Sequence, residues 1–169
     1  RVLRRLSRHA NDEDRFKGLW PFFAWSALAA HLDFWNRTGR TVEVADPAGA
    51  NVIVPTHDYQ TGARLVSISA VRPHRGLAET FRFFREEFTN PLERQYPTLQ
   101  REVRWNVCLS ALLEAVGEHE GLRMLRELQH RDPEHLPEGL VQALASYVRG
   151  VEAHGFLPMR LYFAIRRYR

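Results

Sequence analysis

Residues 41–71 read TVEVADPAGANVIVPTHDYQTGARLVSISAV, and this stretch decides the fold class. Val42 and Val44 flank Glu43, while Val66, Ile68 and Ala70 alternate with Ser67 and Ser69. Alternation with a period of two is the pattern of strands that bury one face. Asp46-Pro47-Ala48-Gly49 and Thr61-Gly62 place turn-forming residues between the β-branched runs. The spacing predicts a three-stranded antiparallel meander over Thr41–Ala45, Asn51–Val54 and Arg64–Val71. A sheet this small needs a helix against its apolar face.

On both sides of this stretch the rhythm is helical. Asn11 or Asp12 caps a first helix that runs to about Asn36, with Pro21 as a kink and Gly39 as its stop. After Pro73, Leu77, Phe81, Phe84 and Phe88 recur every three or four residues and form one apolar stripe. Asn90-Pro91-Leu92-Glu93 has the form of a fresh helix start: a cap, proline at the first position and a glutamate turned back towards the cap. A long helix from Leu99 to Val116 follows, closed by Gly117, and Leu122, Leu125 and Leu128 mark the next. Leu140, Leu144, Val148 and Val151 make a further helix that ends near Gly155. Pro158 starts the last, with Leu161, Tyr162 and Ile165 expected inward. The fold class expected is α+β, predominantly helical: a helical bundle with a small three-stranded antiparallel β-meander inserted after the first helices. One domain spans 1–169: a basic segment 1–11, an apolar helix 12–38, the meander 41–71 and a helical region 77–169.

Forty-four per cent hydrophobic and twenty-six per cent charged residues are the proportions of a globular domain. Twenty-three of the twenty-four basic residues are arginine. Guanidinium groups fork onto carboxylates and phosphates and stack on rings, so an arginine-rich surface suits crowded protein or nucleic-acid contacts. Residues 1–11, RVLRRLSRHAN, hold four arginines and no acid, the composition of a mitochondrial presequence or its remnant. Leu19–Ala30 is almost wholly apolar, yet it reaches only twelve residues before His31 and Asp33. A spanning helix needs about 20, so none is expected.

Catalytic constellations are sparse. Glu127-x-x-His130 has the spacing of a carboxylate-bridged metal helix, but no second such pair accompanies it. Cys108 lies in the apolar run Trp105–Leu113, where a cysteine acts as a small core residue. His57 and Asp58 are neighbours in the polar loop Pro55–Gly62, and their side chains point apart in an extended chain. No catalytic residue, cofactor or metal is therefore assigned. The sequence points to a non-catalytic accessory or structural subunit of a large complex, such as an organellar respiratory or ATP synthase assembly. Other protein subunits are its expected partners. The residues expected to meet them are Arg1, Arg4, Arg5, Arg8, Trp20, Trp25, Trp35, Arg166, Arg167 and Arg169. The first alternative is an RNA- or DNA-binding module using the two basic clusters, beside which Tyr162, Phe163 and Tyr168 suit base stacking. The second is an enzyme with an atypical site. Peripheral membrane contact is also admitted, and the expected location is intracellular and mitochondrial.

Overall fold

The computed structural model describes residues 13–44, 52–53, 64–65, 68–73, 76–95, 104–131, 136–137, 139–159 and 161. Helix α1, Glu13–Thr38, runs unbroken through Pro21. From Trp20 to Leu28 the chain is apolar almost all round, and a helix of that kind belongs inside a fold. Phe22, Phe23, Ala24, Trp25, Ala27, Leu28 and Leu32 are buried accordingly. The N–H of Gly39 donates to the Trp35 carbonyl at 2.7 Å, and a φ of 67° there turns the chain out of the helix.

The β region departs from the expected meander. Strand β1, Arg40–Val44, pairs antiparallel with β4, Ile68–Pro73, in the register Arg40↔Pro73 to Val44↔Ile68. Nested within that pair, β2 (Val52–Ile53) joins β3 (Arg64–Leu65). The described strands thus form two two-stranded ladders, with β1 paired to β4 and β2 to β3. Asp46–Gly49 has turn chemistry, but turn-formers do not fix which strands pair. The reversal lies between Ile53 and Arg64, so the third run is shared: Arg64–Leu65 pairs with the second run, and the part from Ile68 onward returns to the first. A bulge between Glu43 and Val44 offsets the ladder beside Ile68.

Helix α2, Leu77–Phe83, passes directly into a π-helical turn, Phe84–Thr89, and then into α3, Asn90–Gln95. The fresh start expected at Asn90 is replaced by continuous winding: its N–H donates five residues back, to the Arg85 carbonyl. Pro91 lacks an N–H, and its ring crowds the carbonyl four residues before it. A wider turn immediately upstream relieves that conflict. Leu77, Phe81, Phe84 and Phe88 are buried, as their stripe requires.

Helix α4, Trp105–Val116, is the centre of the molecule, with Val107 to Leu113 all buried. It packs along α1. At Gly117 (φ 92°) the chain turns into α5, Glu118–Arg131, and α6, Leu140–His154, closes the group against α4 and α5. Leu140, Leu144, Val148 and Val151 supply the buried stripe of α6. Among the described residues no helix is long and apolar enough to cross a membrane.

Candidate functional site

A chain of polar groups sits where α1, the π-helical turn and α4 meet. Arg85, Thr89 and Glu93 lie four residues apart, so one helical face carries all three beside the phenylalanine stripe. Glu93 is 6% exposed. One of its oxygens, Oε1, accepts from the Trp20 indole N–H and from Arg85 Nη1, each at 3.4 Å. The same Nη1 donates to Thr89 Oγ1 at 3.3 Å, and that hydroxyl donates to the Arg85 carbonyl at 3.1 Å. The Arg85 guanidinium carbon stands 5.8 Å from the centre of the Trp105 ring, a cation–π contact. Apolar rings surround the indole. Trp20 stacks on Phe23 at 5.9 Å and on Phe88 at 6.5 Å, and Phe84 stacks on Phe88 at 4.8 Å.

Electrostatics follow from this enclosure. Burial raises the Glu93 carboxyl above the ordinary value, against the opposing pull of Arg85 and the Trp20 N–H. Burial pushes the neighbouring Cys108 thiol up to about 12, so it stays protonated and unreactive. A carboxylate held by one arginine and one indole works as a polar clasp. It ties three elements together. His31 is half-buried: its Nδ1–H donates to the Ala27 carbonyl at 2.8 Å, and desolvation lowers its pKa from the ordinary value.

The expected contact residues are placed unevenly. Trp20 and Trp25 are 0% and 2% exposed and fill the core of the described fold. A tryptophan-rich helix reads alike whether its own fold or a neighbour covers it. Trp35 is half-buried and packs on the edge of the core. Arg1, Arg4, Arg5, Arg8, Arg166, Arg167 and Arg169 lie outside the described residues, as do His57 and Asp58. Glu127 pairs with Arg123 of its own helix, and His130 is exposed. No group of three His, Cys, Asp or Glu side chains suited to a metal ion occurs among the described residues. Leu161, expected inward, is 48% exposed.

Sequence reasoning missed the clasp. The Asn90-Pro91-Leu92-Glu93 spacing predicts a capping role for Glu93, whereas the structure turns it into the core. The spacing of Arg85, Thr89 and Glu93 was the available signal. Comparison with family models, curated proteins and solved structures finds no match.

Proposed function

We propose that this protein is a non-catalytic accessory subunit of a large assembly, acting through contacts with other protein subunits. The ribbon of β1 and β4 carries this reading. Ile68 and Val71 on β4 are 45% and 46% exposed. A two-stranded ribbon is marginal in water by itself, and apolar side chains displayed on one suit a surface that a neighbour covers. Phe83, 39% exposed on α2, adds a second apolar anchor. Trp20 and Trp25 leave the contact set because they are enclosed. Trp35 and the arginines at 1–8 and 166–169 remain, the latter as partners for carboxylates on neighbouring subunits.

The acid-free arginine-rich stretch 1–11 supports a mitochondrial setting, with a respiratory or ATP synthase complex as the specific form. Native electrophoresis of the tagged chain from its source cells tests the proposal. The wild-type chain is expected in a species far larger than its own 19.7 kDa. Ile68→Asp with Val71→Asp is expected to release it to monomer while the melting temperature of the purified chain holds. Wild-type chain running as a monomer would end this reading.

A further inference from the structure

Thr89–Glu93 has two windings open to it. In the structure the π-helical turn runs on into α3, and the Asn90 N–H donates to the Arg85 carbonyl. Asn90 therefore has helical backbone, φ −61° and ψ −42°. The residue before a proline favours extended backbone, which is also the conformation of a helix N-cap. Asn90-Pro91-Leu92-Glu93 holds the other parts of a helix start as well. Asparagine is a strong cap, proline suits the first position, and a glutamate at the third reaches back to the cap N–H. Winding on and starting afresh are thus alternative states of the same residues, and Glu93 has bonding partners in both.

We propose that Thr89–Glu93 is a two-state hinge, in which Glu93 either closes the clasp with Arg85 and Trp20 or swings out to cap a helix restarted at Asn90. Its charge sets the balance. Closed, the Glu93 carboxyl is 6% exposed, with one guanidinium beside it at 3.4 Å. Opened, it meets water and the Asn90 N–H. Among the described residues, the titratable groups coupled to Glu93 are Arg85 from the π-helical turn and Cys108 from α4. An arginine is cationic wherever a carboxyl titrates, and burial holds the Cys108 thiol up at about 12. Glu93 is thus the member of this group whose charge changes. Burial raises its carboxyl in the closed state, so a bound proton favours closing and its loss favours opening. Opening parts the Trp20 N–H from its acceptor and lets α3 pivot about Asn90. The hinge lies apart from the β1–β4 ribbon, so it stands or fails independently of the subunit reading.

Hydrogen exchange of the full chain, followed residue by residue by NMR and divided by the intrinsic chemical rate, tests it. In a restarted helix Glu93 serves the Asn90 N–H and the Asn90 side chain serves the Glu93 N–H, which leaves the Leu92 N–H without an acceptor. The Leu92 amide therefore reads the open state, and Leu112 at the centre of α4 reads global unfolding. Opening at Leu92 is expected to exceed that at Leu112 and to grow by up to about tenfold per pH unit while Glu93 loses its proton. Glu93→Gln should make it independent of pH. Asn90→Ala removes the cap of the open state and continues the helix well, so it should lower opening at Leu92 about fivefold. Exchange at Leu92 that only follows Leu112, that ignores pH, that keeps its pH dependence in Glu93→Gln, or that is undiminished in Asn90→Ala overturns the proposal.

Discussion

At Glu93 two long contacts, each 3.4 Å, hold the carboxylate to the Trp20 indole and to Arg85 in a place with little water. Charge-assisted bonds are normally shorter, so the attraction offsets only part of the desolvation. This is why burial wins and the carboxyl is raised. A raised folded value means that the group favours folding below its unfolded value, and that this contribution is lost as pH rises through the folded one. Glu93→Gln keeps an acceptor for Trp20 and Arg85 and removes the charge. Because the carboxyl is raised in the folded state, this change is expected to stabilise the fold at neutral pH. Urea unfolding in acid should show that gain disappear, because wild-type Glu93 then takes up a proton and loses the same cost. Glu93→Ala should instead cost about 2 kcal/mol at neutral pH, since the indole N–H loses its acceptor. Cys108 gives a second residue-scale expectation. Its thiol, 2% exposed and raised to about 12, should resist a maleimide in the native protein. Labelling should appear only along the urea unfolding curve, and rapid labelling without denaturant would contradict the placement.

Among the elements, α4 and α5 meet through a glycine. A Cβ on Gly121 would fall 2.8 Å from Leu113 Cδ1 and 3.0 Å from its Cα. The side chain can turn aside but the backbone cannot. Gly121→Ala should therefore destabilise by about 1–2 kcal/mol, overpacking outweighing the better helix propensity of alanine. Gly150 is the control: nothing lies within 4 Å of its added Cβ. Gly150→Ala in exposed α6 should stabilise by about 0.5–1 kcal/mol, so thermal melts of the pair should move in opposite directions. Elements of this kind were legible where one face is apolar. The stripes Leu77–Phe88 and Leu140–Val151 can be read from spacing alone, because burial of a stripe is what makes a helix stay. Pairing of the strands was not legible. Period-two alternation says which residues share a face but not which strand lies alongside. The π-helical turn was missed because Asn90-Pro91 fits a helix start equally well in sequence. Only Glu93 turning into the core distinguishes the two.

Over the whole molecule, sequence spacing marks a stripe as apolar without saying who covers it. Trp20, Trp25 and Leu161 all read as apolar residues at helical spacing; the first two proved enclosed and the third exposed. That difference is set by how α1 and the stretch after α6 sit against α4, a tertiary outcome. Among the described residues, large apolar side chains are exposed in three places: Ile68 with Val71, Phe83, and Leu157 with Leu161. A partner held at the ribbon by Ile68 and Val71 should be nearly indifferent to salt, since the attraction is water exclusion and not charge. A phosphate-rich partner would behave otherwise, losing roughly a thousandfold or more in affinity between about 50 mM and 200 mM salt. Binding of the native complex, followed by light scattering across that salt range, should therefore stay level. Ile68→Asp should break it at every salt concentration. A steep log-linear fall would reverse the assignment, because such a slope marks binding carried by charge, and the ribbon would then have to be secondary to the arginines.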